Sequence, residues 1–212
     1  MTMAAKGEFS EEELEKNKKV YLSRLELYKS YGYDNEKERL FIINAAEPFG
    51  GSVLEAGTGK GHLALAIAKK GHKLITYDVD DTNQRYARMN IDSAGLSEKV
   101  KFLIESKEKL SFKDNSFDTV FCVNTLHHLR DSAIVLDELI RVLSDNGKFI
   151  LSDFTKKAFD VMDVIHRNDG NEHEVVGWSM DKAAEFLKSK GCIITETADE
   201  YQTVYIIRKG VK

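Results

Sequence analysis

The chain has 212 residues, 42% of them apolar and 31% charged, with a formal net charge of −4. That composition fits one globular domain able to bury about 70% of its unfolded surface, with no global basic field for nucleic acid or an anionic membrane and no apolar run long enough to span one. Cys122 and Cys192 stand inside apolar strand-like runs, which predicts buried, reduced thiols, and the charged stretch over 1–19 lacks the apolar core of a secretory signal, so a cytoplasmic location is expected.

From the N-terminus, Phe9-Ser10-Glu11-Glu12-Glu13-Leu14 predicts a helix start, with Ser10 and Glu13 as a capping box and Phe9 and Leu14 as the hydrophobic staple. Leu14, Tyr21, Leu25 and Tyr28 mark one apolar stripe of that helix. A second helix is predicted over 34–47, stopped by Pro48, the only proline in the chain. Residues 1–48 therefore read as N-terminal helices.

A strand predicted over 52–56 runs into Glu55-Ala56-Gly57-Thr58-Gly59-Lys60-Gly61, and a helix over 62–70, closed by Gly71, follows. Alternate glycines let the backbone take positive φ and approach a ligand closely, and the helix N-terminus behind them adds oriented N–H donors. A dinucleotide loop requires glycine where His62 stands, which argues against an NAD-dependent oxidoreductase. A nucleoside-triphosphate loop requires glycine at Leu54 and Ser or Thr at Gly61. The remaining acidic-x-G-x-G-x-G loop resembles that of the class I S-adenosylmethionine-dependent methyltransferases. The resemblance implies S-adenosylmethionine as cofactor, its methionyl and ribose part carried by Glu55, Ala56, Gly57, Thr58, Gly59 and Gly61.

The next strand, over 73–78, ends in Asp78, about 20 residues beyond the first glycine, where nucleotide folds place a carboxylate on ribose hydroxyls. Asp80 and Asp81 can cap the helix over 82–94, which leaves Asp78 for the ligand, with Val79 beside it. After a strand over 99–105, relatives usually carry an acid for the adenine amino group. Ser106 stands there, and the resemblance implies adenine contacts from Ser106 and the Lys107 backbone N–H. Phe112 and Phe117 are expected to bracket a turn before the strand over 119–123. Asn124-Thr125-Leu126-His127-His128 follows, at the strand end where cofactor and substrate meet. Asn124 joins the expected cofactor contacts. His127 and His128 are candidates for taking a proton from the methyl acceptor. The family's amino-methylating N/D-P-P-Y/F signature is absent, which argues against methylation of a base amino group.

A helix over 132–143 presents Leu136, Leu139, Ile140 and Leu143 as its buried face, and a strand over 148–154 follows. The segment 155–178, which the core does not need, reads as a substrate cap and contains Asp163, His166, His173, Glu174 and Trp178. His166 and His173 join the catalytic candidates. Their spacing matches no established ligand pattern, so no metal is expected. A helix over 179–190, closed by Gly191, precedes strands over 192–197 and 203–208 joined by a short turn, hence a hairpin with an antiparallel last strand.

Such alternation calls for a parallel sheet wrapped on both faces by helices. The resemblance covers 34–208 and implies an α/β, Rossmann-like three-layer sandwich with a seven-stranded, mostly parallel sheet. The function expected is methyl transfer to a small-molecule nucleophile. The alternatives are a non-catalytic cofactor-binding scaffold or sensor subunit, and a methyltransferase acting on RNA or protein.

Overall fold

The computed structural model describes residues 8–105 and 109–210. Helix α1 (Glu11–Ser30) opens on the predicted capping box: the Ser10 hydroxyl accepts from the Glu13 N–H at 3.3 Å while the Glu13 carboxylate accepts from the Ser10 N–H at 2.9 Å. Its stripe of Leu14, Tyr21, Leu25 and Tyr28 is half-buried. Helix α2 (Asn35–Ala46), capped by Asp34, stops because the residue before proline is pushed out of the helical region, and Glu47 sits at φ −65° and ψ 149°.

Strands β1 (Val53–Ala56), β2 (Leu74–Asp78), β3 (Val100–Ile104), β4 (Phe117–Val123) and β5 (Leu143–Phe154) pair in parallel, and β7 (Gln202–Lys209) lies antiparallel between β5 and β6 (Cys192–Ala198). The seven strands of the sheet, with the last one antiparallel, are as predicted, and they lie in the order β3-β2-β1-β4-β5-β7-β6. Its chain path reverses direction between β1 and β4, and at such a reversal the connections leave in opposite directions and open a crevice at the strands' carboxyl ends.

Helices fill both faces. Ile42, Ile43, Ala64 and Ile67 of α2 and α3 (His62–Lys69) form one core with Phe121 and Ile150. On the other face Leu136 and Leu139 of α5 (Ser132–Val142) and Leu187 of α7 (Met180–Ser189) pack with Val120, Phe149 and Leu151. Helix α4 (Asp81–Ser93) packs against α1, where a buried Asn17–Asn90 side-chain hydrogen bond of 2.7 Å joins them. Cys122 and Cys192 are buried and unpaired with each other, as predicted. Among the described residues no helix is long and apolar enough to cross a membrane.

Two elements differ from expectation. Strand β5 starts at Leu143 rather than 148, because Leu143 pairs with Phe117 across a register shift and ends α5 one residue early. Within 155–178, Thr155 caps a further helix, α6 (Lys156–Asn168), whose Ala158 and Met162 pack with Tyr33 and Tyr201. Helix α6 is therefore anchored to the fold by its apolar face.

Candidate functional site

The glycine loop is stitched to β2, since the N–H groups of Gly57 and Thr58 both donate to the Tyr77 carbonyl at 2.9 and 3.1 Å. Its three glycines then serve different neighbours. A Cβ on Gly57 (φ +86°) would stand 2.3 Å from Thr125 Oγ1, so this glycine admits the chain that follows β4. A Cβ on Gly61 (φ +79°) would meet the Ala87 Cβ at 2.8 Å, so Gly61 allows α3 to pack on α4. Gly61 has its Cβ direction toward α4, while Gly57 and Gly59 border the adjoining cavity. A Cβ on Gly59 (φ +49°) would meet nothing within 4 Å. Gly59 alone of the three pairs a left-handed conformation with open space.

That space is a cavity of about 350 Å3 at the carboxyl ends of β1, β2 and β4, and Glu55, Ala56, Gly57, Thr58, Gly59, Asp78, Val79, Asn124 and His128 line it. Asp78 accepts from the Gly59 N–H at 2.8 Å through one oxygen and from the Val79 and Asp80 N–H groups at 2.8 and 3.1 Å through the other. The carboxylate expected to face the ligand is thus shared with the loop. The tight turn out of β2 presents three backbone donors to it, about one lone-pair position remains, and the loop's shape depends on it. Asp80 caps α4 as predicted, accepting from Thr82 and Asn83.

Glu55 is almost completely buried beneath the loop, and burial pushes its carboxyl up to about 8 against an opposing hydrogen bond from Thr76. That Thr76 hydroxyl donates at 2.5 Å, lies 2.7 Å from the Thr58 hydroxyl, and Thr58 in turn accepts from Gln84 of α4 at 3.1 Å. A polar chain therefore runs under the loop from α4 to β1.

Asn124 takes φ +50°. Turned to satisfy both ends of its amide, it accepts from Arg39 at 3.0 and 3.1 Å and donates to Gln202 at 2.9 Å. Arg39 is missing from the predicted site. It is buried, lines the cavity, and forms no ion pair among the described residues, its Nε having no partner. The signal was present: Arg39, Ile42, Ile43 and Ala46 share the buried face of α2 at helical spacing, so a cation occupies a position that the periodicity reserves for apolar side chains. Ser106 and Lys107 lie outside the described residues.

The predicted histidines converge. His127 and His128 sit in a 3-10 turn after β4, and His173 reaches them from the loop after α6. His127 Nδ1 lies 2.6 Å from Asp153 Oδ1, with both side chains buried, and the second Asp153 oxygen accepts from the His127 N–H at 3.0 Å. His173 Nδ1 lies 3.0 Å from Asp163 Oδ1, and His128 Nδ1 lies 2.9 Å from the Glu174 carbonyl. Burial pushes His128 down to about 4, helped by the neighbouring His127, and burial also lowers His173 against the pull of Asp163. His166 is stacked on His173 with ring centres 4.8 Å apart and stands outside the three-histidine group. The loop is tied to this turn, because Val176 and Gly177 both donate to the His127 carbonyl, at 2.9 and 2.8 Å.

A family model described as "Methyltransferase domain" matches residues 54–151, the stretch from β1 through most of β5. The ubiquinone/menaquinone biosynthesis C-methyltransferase UbiE of Shewanella piezotolerans is 24% identical over 82% of this chain and 65% of its own length. The uncharacterized methyltransferase YcgJ of Bacillus subtilis is 33% identical over 52% and 44% respectively. The chain thus spans about half to two thirds of these relatives. A SAM-dependent methyltransferase from Aquifex aeolicus shares the fold with a TM-score of 0.64 at 24% identity, covering 94% of this chain and 99% of that one. In its sheet order, its glycine loop and the family match over residues 54–151, the chain is similar to the class I S-adenosylmethionine-dependent methyltransferases.

Proposed function

We propose that this chain transfers a methyl group from S-adenosylmethionine to a small-molecule nucleophile. The observation that carries the reading is Gly59: its Cβ direction is open, its N–H is fixed by Asp78, and it borders the cavity at the point where the sheet reverses its order. The residues present suit such a ligand. Gly57, Gly59 and Asp78 would hold the ribose and the adjoining chain, and Arg39, a buried cation without an ion pair among the described residues, would take the carboxylate. When bound, the cofactor supplies a methyl group already activated on a sulfonium. The protein is left to align the acceptor, exclude water and, for an acceptor that carries a proton, accept it.

His128 lines the cavity wall and can help to orient the acceptor. Helix α6 and the loop after it bring His173 and Glu174 to the same turn, which supports 155–178 as the cover on the acceptor side. Relatives named for ubiquinone and menaquinone biosynthesis support a small-molecule acceptor. Calorimetry tests the reading: S-adenosylmethionine and its demethylated product should bind and NAD should not, whereas binding of NAD alone would overturn it.

A further inference from the structure

Each of the three clustered histidines has its Nδ1 against an acceptor, and each acceptor comes from a different part of the chain: Asp153 ends β5, Asp163 belongs to α6, and the Glu174 carbonyl lies in the loop beyond. An acceptor at Nδ1 places the ring proton there and leaves the lone pair on Nε2. The Nε2 atoms of His127 and His173 stand 3.3 Å apart. Two lone pairs so close repel unless an electrophile stands between them, either a proton or a metal ion.

The distances favour a metal. An ion about 2.0–2.1 Å from each of two nitrogens in tetrahedral geometry separates them by about 3.3–3.4 Å. The three histidines offer one ring nitrogen each, all within 4.8 Å of one another. A shared proton would account for the His127–His173 pair but not for His128 brought to the same point. Imidazoles whose second nitrogen is held by a carboxylate or a carbonyl are the usual form of metal-binding histidines, since that contact fixes the tautomer and raises the ligand's basicity. The carboxylates of Asp153 and Asp163 behind the rings also provide the negative charge that a divalent cation requires.

We propose that His127, His128 and His173 bind a divalent transition-metal ion of the zinc class. Three imidazoles without a thiolate select against soft cuprous ions, and the lack of an inward carboxylate oxygen selects against magnesium and calcium. Three protein ligands leave a position open, as in catalytic rather than structural sites. His128 also lines the cofactor cavity, so a sulfur or oxygen donor entering beside the methyl group can fill that position. This last step rests on the methyl-transfer reading, and the ion itself does not. No ligand spacing is visible in the sequence because residues 127, 128 and 173 meet only through the fold.

The test uses the untagged full chain, stripped with chelator, dialysed against zinc chloride and analysed for metal. One zinc per chain is expected, and cobalt(II) should give the intense visible bands of a four-coordinate site. His173→Ala should abolish both, and Asp163→Asn, which keeps the ring's place, should weaken zinc binding about 10- to 100-fold. His72→Ala, at the amino end of β2, should change nothing. Adding 2-mercaptoethanol to the cobalt form should shift its bands if the open position accepts a thiolate, and unchanged bands overturn that part. No zinc uptake, or uptake indifferent to His173→Ala and Asp163→Asn, overturns the site in favour of a shared proton. Calorimetry with the demethylated cofactor separates the two readings: cofactor binding without metal uptake removes only the metal, and the reverse removes only the methyl transfer.

Discussion

Glu55 shows how much a single side chain beneath a ligand loop controls. Its pKa is raised to about 8 chiefly by burial, so the folded protein holds a proton there that the unfolded chain releases above its ordinary value of 4.5. Between those values the folded state binds more protons, so this group's contribution to stability falls as pH rises, by up to about 1.4 kcal/mol per pH unit. Glu55→Gln copies the protonated acid and can still accept from Thr76. The stability of Glu55→Gln relative to the parent should therefore increase from pH 5 to pH 8 in urea unfolding, and a constant difference would mean that Glu55 is ionised in the folded state. Asp78 acts by the opposite means, as a carboxylate fixed by three N–H donors. Replacing it by alanine removes charged hydrogen bonds of about 1.5–3 kcal/mol each, so cofactor affinity should fall about 10- to 150-fold. Unchanged affinity by calorimetry in a folded variant would place the ribose elsewhere.

At the scale of elements, the loop's glycines separate into ligand and packing roles that the spacing alone did not distinguish. Gly59→Ala meets no atom within 4 Å and carries only the cost of a left-handed conformation, about 1–2 kcal/mol. Gly61→Ala adds to that a collision with Ala87, which forces α3 away from α4, for a total of about 2–4 kcal/mol. Urea unfolding should show the larger loss for Gly61→Ala, while calorimetry should show the larger loss of cofactor binding for Gly59→Ala. Equal effects on both measurements would mean that the loop acts as one rigid turn. The capping box of α1, the glycine-closed helices and the final hairpin were legible because each is written in a few adjacent residues. Helix α6 was harder to read: Ala158, Met162 and Ile165 carry its spacing, but Lys156, Lys157, Asp160 and Asp163 surround them, and Tyr33 and Tyr201, which pack with Ala158 and Met162, lie far away in sequence. Arg39 was legible as a cation on an otherwise apolar helix face, whereas the meeting of His127, His128 and His173 was not, since residues so far apart in the chain have no spacing to recognise.

For the whole molecule, the cavity belongs to no single element: β1, β2 and β4 supply its floor, α2 supplies Arg39, and the turn after β4 supplies His128. A ligand that touches all of these binds the folded chain and not the unfolded one, so it must stabilise the entire domain. At a free concentration about 100 times its Kd the gain is about 2.7 kcal/mol, which for a chain of this size raises Tm by roughly 5–11 °C. The demethylated cofactor should produce that shift, and NAD at the same concentration should produce none. Asp78→Ala should retain a cooperative transition while losing most of the ligand-induced increase. Arg39→Met tests the other end of the cavity, because it keeps an apolar stem against α2 and deletes the cation. Its shift should be reduced for the intact cofactor, while for adenosine, which has no carboxylate, parent and variant should behave alike. A parent-sized shift for Arg39→Met with the intact cofactor would place the carboxylate away from α2 and leave the buried guanidinium with the structural task of holding Asn124.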